Sequence, residues 1–273
     1  MKNKKLVITL TIIWSLIALI IAGGVTYAWF SFNPYTNVEP MSSTVSSGGT
    51  ALLISTKPDS DFGIQCTLPK SVSGNLDPLS TADLNHFFEA FRQNRQGIAN
   101  GFRNADDKVE NSTIHGEFYL QSLKDDCDVY FYRSGMDFGN DPQMLSALRL
   151  GMRITVDDQT YDYIFRLDEM GNTSSAKRIQ TISSPGSVVR NVNDNKDAQF
   201  VADPSRALAA YFAVPGTGNE DGPKPGRENL FTLDAHKVAK VEYWLYLEGC
   251  DDNCINDVQQ KEARIQLSFA GVS

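Results

Sequence analysis

Basic side chains are in short supply. Only 25 Lys and Arg stand against 33 Asp and Glu, a formal net charge of −8 over 273 residues. Three of the basic residues, Lys2, Lys4 and Lys5, crowd the N-terminus, and no charged residue follows until Glu39. Without residues 1–28 the chain holds 22 basic and 33 acidic side chains, a net −11. That balance argues against a nucleic-acid-binding surface, which needs a positive face to displace counterions, so no nucleic-acid partner is expected. Histidine is scarcer still: His86, His115 and His236 lie far apart, and no His-Glu-x-x-His occurs. A zinc-protease helix is therefore not encoded. The Gly-x-Ser-x-Gly elbow, the nucleotide-binding glycine fingerprint and any repeat of fixed period are missing too. Scattered carboxylates remain, which read as a solvated surface. The chain is thus expected to be no enzyme and to carry no cofactor. Apolar residues are not scarce: they make up 41% of the chain, with 15 Phe and 10 Tyr. That suffices for a core and excludes global disorder.

The N-terminus decides the compartment. Met1–Lys5 is basic, Leu6–Ala22 is apolar apart from Thr9, Thr11 and Ser15, and small residues follow up to Ala28. This is the order of a secretory signal. The uncharged stretch also exceeds the ~20 residues that span a bilayer. Two readings stay open. In one, a signal peptidase cuts near Ala28 and Trp29. In the other, residues 6–28 remain as a membrane anchor. Basic residues stay on the cytoplasmic side in both cases, so the body is extracytoplasmic, secreted or anchored.

The body reads as strands. Val241, Tyr243, Leu245 and Leu247 alternate with Glu242, Trp244, Tyr246 and Glu248. Ala263, Ile265, Leu267 and Phe269 alternate with Arg264, Gln266 and Ser268. Period-two alternation marks half-buried strands. Ala51–Thr56, Gly116–Leu120, Val129–Tyr132, Ala147–Val156, Thr160–Arg166 and Arg206–Phe212 are further candidates, with a hairpin turn at Asp157-Asp158-Gln159. One helix is expected from a cap at Ser80 or Thr81, with Leu84, Phe87, Phe88 and Phe91 at i, i+3, i+4 and i+7. A loop follows over Gly97, Gly101 and Asn104–Lys108, and the longest coil is Gly216–Asn229. The fold class expected is all-β: an antiparallel, jelly-roll-like β-sandwich with one short helix, preceded by the signal or transmembrane helix. The organisation expected is 1–28 leader or anchor, 29–50 extended linker or donor segment, and 51–273 sandwich domain.

Cys66, Cys127, Cys250 and Cys254 sit in an exported body, where disulfides form. A Cys250–Cys254 bond would close a short ring between the last two strands, worth only ~2 kcal/mol by loop entropy. Cys66 and Cys127 would be the remaining pair. A four-thiolate zinc site needs two close pairs and finds one, and buried free thiols stay open as an alternative. Calcium has two weak candidates. Asn191–Asp197 lacks the glycine at position six and has Ala202 where the bidentate Glu belongs. Asp251, Asp252 and Asp257 form the second. Asn111-Ser-Thr113 and Asn172-Thr-Ser174 match the glycosylation pattern.

Two stretches carry a resemblance. Gly23-Gly24-Val25-Thr26-Tyr27-Ala28-Trp29-Phe30-Ser31 looks like the leader junction of the TasA/camelysin group of Firmicutes, although Phe32 replaces the usual Asp. Val241–Cys254, running Trp244-x-x-Leu247-Glu248-Gly249-x-Asp251-x-x-Cys254, resembles the strand and loop near the end of that group's secreted members. The resemblance implies cleavage by a SipW-type signal peptidase. It also implies a jelly-roll subunit of a biofilm-matrix fibre that assembles with itself by donor-strand addition. The donor would be the segment after the leader: Trp29, Phe30 and Phe32, then the extended Val38–Val45, which carries one charge, Glu39, and is broken by Pro40. The alternative is a membrane-anchored binding module that never polymerises. Proteolysis, linked to camelysin-like relatives, has no residues here to carry it.

Overall fold

The computed structural model describes residues 42–47, 52–68, 76–92, 99–139, 141–167, 206–212, 228–251, 254 and 266–272. All belong to one compact unit, Thr36–Ser273. The predicted leader, Ala28, Trp29, Phe30, Phe32 and Val38, the Asn191–Asp197 run, Asp252 and Asp257 lie outside the described residues. Among the described residues no helix is long and apolar enough to cross a membrane.

The described chain is mostly strand. In order come β1 (Ser42–Ser47), β2 (Leu52–Ser55), β3 (Gln65–Thr67), β4 (Pro78–Thr81), β5 (Phe87–Arg92), β6 (Ala99–Asn104), β7 (Ile114–Ser122), β8 (Cys127–Phe131), β9 (Leu148–Val156) and β10 (Gln159–Arg166). β11 (Arg206–Ala207), β12 (Phe231–Leu233), β13 (Val238–Glu248) and β14 (Gln266–Val272) complete them. They form two sheets. The smaller has the order β12-β8-β14-β1-β3. The larger runs β11-β10-β9-β13-β4-β5-β6, with β7 also on β13 and β2 on β7. The ladders are mixed rather than purely antiparallel, because β1–β14, β10–β11 and β13–β4 pair in parallel.

The alternation of β13 does what the sequence asks of it. Val241, Tyr243, Leu245 and Leu247 turn inward, all at most 1% exposed, beside Leu148, Leu150, Met152 and Ile154 of β9. They join Val129 and Phe131 of β8 and Leu267 and Phe269 of β14 in one core. Rings meet between the two sheets: Phe118 lies 5.5 Å from Phe269, and Phe131 lies 5.3 Å from Phe165, edge-on. Each such pair adds about 1 kcal/mol beyond the area buried. The hairpin β9–β10 closes through Asp157 and Asp158, and Gln159 already pairs with Val156. Asp157 has φ 49°, supplying the left-handed residue that glycine usually provides.

The expected helix at Ser80–Phe91 is a turn and a strand. Thr81 Oγ1 accepts from the Leu84 amide at 3.0 Å, and Asp83 Oδ1 accepts from the amides of Asn85 and His86 at 2.9 and 2.8 Å. Such side-chain bonds compete with helix formation. Leu84 takes φ 57°, outside the helical region. Phe87 then opens β5, which pairs with β4 and β6. β6 occupies part of the expected loop, and Asp106–Lys108 is a single 3-10 turn. A short helix sits instead at Pro142–Ala147, capped by Asp141 Oδ1 on the Met144 amide at 2.8 Å. Of Arg206–Phe212 only Arg206–Ala207 is strand, and Leu208–Tyr211 is a 3-10 turn.

The β4–β6 arm folds over the outer face of the large sheet. Leu79, Phe87 and Ala105 bury Tyr246 of β13, with Phe87 edge-on to Tyr246 at 5.9 Å. Leu84 fills the space over Gly151: a Cβ there would lie 2.5 Å from its Cδ2. Arg153 fixes the turn by donating to Asn85 Oδ1 at 2.9 Å and to the Asp83 carbonyl at 3.0 Å, while holding Asp162 with two further bonds of 2.8 Å.

Candidate functional site

Two features stand out as more than scaffold. The first is the place of β1. The uncharged run Ser42-Ser-Thr-Val-Ser-Ser47 lies inside the smaller sheet, parallel to β14 and antiparallel to β3. Six register pairs join it to β14, from Ser42 opposite Gln266 to Ser47 opposite Gly271. Val45, the last residue of the predicted donor segment, stands opposite Phe269. The β-rich body therefore begins upstream of residue 51, inside the stretch read as linker or donor. β1 belongs to the small sheet and β2 to the large one, and residues 48–51 between them read Gly-Gly-Thr-Ala.

The second feature is a buried charged cluster where β13 ends. Arg149, Glu248 and Asp251 are all 0% exposed. Arg149 stands directly opposite Tyr246 across the β9–β13 ladder. Its Nη2 donates to Asp251 Oδ2 at 2.9 Å, and its Nη1 to the carbonyls of Ser146 and Leu148 at 2.7 and 3.0 Å. Glu248 Oε1 accepts from the Ser80 hydroxyl at 2.5 Å and from the Cys250 amide at 3.1 Å. Arg149 Nε, Tyr246 OH and Glu248 Oε2 have no hydrogen-bond partner among the described residues. Burial pushes the Glu248 carboxyl up to about 7, against the pull of Arg149, Ser80 and the Cys250 amide, with Asp251 adding to the rise. Burial also raises Tyr246 well above the ordinary phenol range. Burial works against the Arg149 charge, but Asp251 and Glu248 overcome it and hold the guanidinium protonated.

Glu248 and Asp251 have a physical reason for their place in the fold: both gather round Arg149, with Asp251 as its ion-pair partner. Neither is free for solvent. Asp251, a predicted calcium ligand, is spent on Arg149, and no group of three or more metal-ligating side chains occurs among the described residues. Arg149 is inconspicuous in the sequence, because Leu148-Arg-Leu150-Gly-Met152-Arg-Ile154 reads as apolar-in, polar-out alternation. The covering arm turns that polar position into an interior one.

The four cysteines are free thiols. Cys250 Sγ lies 3.6 Å from Ser80 Oγ, and the Cys254 amide donates to the Asp251 carbonyl at 3.0 Å. The sheet order separates the other expected pair: β3, with Cys66, and β8, with Cys127, are divided by β1 and β14. Three strand spacings put them about 14 Å apart across the sheet, twice the ~7 Å Cα separation a disulfide tolerates. Burial raises Cys66 to about 11 and raises Cys127 as well, so neither is a reactive thiolate. His115 Nδ1 lies 3.2 Å from Thr113 Oγ1, and His86 lies 3.6 Å from Asp106 at the surface. The first is a contact between near neighbours at the start of β7; the second joins the start of β5 to the turn after β6.

Set beside protein-family models, characterised proteins and solved structures, the chain matches none of them.

Proposed function

We propose that this chain is an exported surface subunit of a structural kind, similar to the TasA group, whose N-terminal strand is the element exchanged between copies during assembly. The observation that carries the reading is the position of β1. It is the first described strand, follows a leader-like sequence, and pairs along its whole length with the last strand, β14. Edge-to-edge pairing draws affinity from backbone bonds and register from alternate side chains. A terminal strand joined to the body by Gly48-Gly49 can be supplied by a neighbour with the same ladder, which is the economy of strand exchange. Two sheets meeting in one core, and joined by such crossovers, support reading the body as a jelly-roll-like sandwich. In this reading residues 1–28 deliver the chain outside, cut by a signal peptidase or kept in the membrane, and the partner is a second copy. The function is mechanical, and no bound cofactor is assigned.

Deletion of Ser42–Ser47 from the exported chain tests it. Polymers seen by electron microscopy and light scattering for the intact chain should vanish, and a synthetic Ser42–Ser47 peptide should bind the truncated subunit. An intact chain that stays monomeric in the membrane fraction at every concentration would favour the anchored binding module instead.

A further inference from the structure

The β4–β6 arm is joined to the large sheet by a short seam. β4 pairs with β13 at two positions only, Pro78 with Leu247 and Leu79 with Glu248, supplemented by the Gly249 amide on the Leu79 carbonyl at 2.9 Å. Across that seam the Ser80 hydroxyl meets Glu248 Oε1 and, at 3.6 Å, Cys250 Sγ, while Arg153 of β9 separately holds the turn before β5. Behind it sits an unbalanced charge set, one cation (Arg149) against two carboxylates (Glu248 and Asp251), with no solvent exposure. With Glu248 ionised the buried set is net negative, which a low-dielectric interior opposes; with Glu248 neutral it balances. Glu248 Oε2 is reached by no donor among the described residues, so ionisation would leave a buried charge there without a hydrogen bond.

We infer that the Glu248–Ser80 contact is a protonation-controlled latch, which fastens the β4–β6 arm to the large sheet in acid and loosens it as the medium approaches neutrality. The groups facing Glu248 are Tyr246 on its own strand, Arg149 on β9, Asp251 and Cys250 just after β13, and the neutral Ser80 from β4. Lys108, just after β6, pairs with Glu89 of β5 at the surface at 2.9 Å, so it does not supply the missing charge.

The direction follows from linkage. The closed arm keeps the Glu248 proton up to about pH 7, whereas an opened arm exposes a carboxyl of ordinary acidity, near 4.5. Closure is thus favoured in acid, and the opening equilibrium climbs roughly five- to sevenfold per pH unit between about 5 and 7 before levelling off. From pH 5 to pH 8 opening should increase on the order of 70-fold. The latch is independent of strand exchange by β1.

Native-state amide exchange on the full chain reads it directly. After correction for the intrinsic pH dependence of exchange, peptides covering Phe87–Arg92 and Ala99–Asn104 should lose protection between pH 5 and pH 8, while those covering Leu148–Val156 hold theirs. Glu248→Gln keeps an acceptor for Ser80 but cannot ionise, so the loss should disappear in that variant. An unchanged arm in the wild type, or an equal loss in Glu248→Gln, overturns the latch. Infrared titration of the wild-type chain covers the case where Glu248→Gln does not fold. One carboxyl band persisting to about pH 7 supports the proposal, and complete ionisation of all carboxyls by pH 5 refutes it.

Discussion

Substituting Gly151 by Ala tests whether the arm rests on the large sheet. The new methyl would meet Leu84 Cδ2 at 2.5 Å, closer than carbon atoms approach. Leu84 has little freedom to withdraw, since its side chain is 4% exposed and its backbone is held left-handed at φ 57°. Overpacking of this kind costs about 1–3 kcal/mol. Against it stands the backbone entropy that Gly loses in a strand, which favours Ala by roughly 0.5–1 kcal/mol. The net expectation is a loss of about 1–2 kcal/mol. Leu84→Ala alone should cost about 2–4 kcal/mol, as truncation of a buried leucine does. In the Leu84→Ala background the clash is gone, so Gly151→Ala should become stabilising by about 0.5–1 kcal/mol. The cycle thus predicts a change of sign and a coupling of about 2 kcal/mol. Urea unfolding of the four chains, followed by fluorescence and circular dichroism together, gives each term. Equal effects of Gly151→Ala in the two backgrounds would refute the docking of Leu84 on β9.

Arg149→Met leaves Glu248 and Asp251 buried without their cation and should cost about 3–5 kcal/mol at pH 7; a loss under about 1 kcal/mol in thermal unfolding would show that the cluster is not closed to water. Peptide mapping of the native chain without reductant should find no Cys66–Cys127 linkage, and finding one would overturn the order β3-β1-β14-β8.

The parts of the fold that a linear sequence exposes are those whose neighbours share its alternation. β9, β10, β13 and β14 each turn alternate apolar residues into one core, and those residues are readable one strand at a time. β5 is not readable that way. Its aromatic residues fit a helical stripe as well as a strand, and the choice falls to Asp83, Thr81 and the ladder partners β4 and β6. The short helix at Pro142–Ala147 carries a local signal, an Asp cap followed by Pro at the first helical position. The charged cluster is legible only in half. Glu248 and Asp251 stand out in sequence beside Cys250, but Arg149 is far away along the chain, and only the β9–β13 register brings it there. The interior position of all three depends on a cover that no local pattern announces.

The parallel pairing of β1 with β14 also sets how the molecule bears load. Ser42 stands opposite Gln266 and Ser47 opposite Gly271, so the leading end of β1 and the trailing end of β14 lie at opposite ends of the ladder. Tension applied between Ser42 and Val272 pulls these strands lengthwise past each other. Every bond of the ladder is then strained at once, in shear, instead of opening singly like a zipper. The fold therefore resists stretching most along the line that joins Ser42 to Val272.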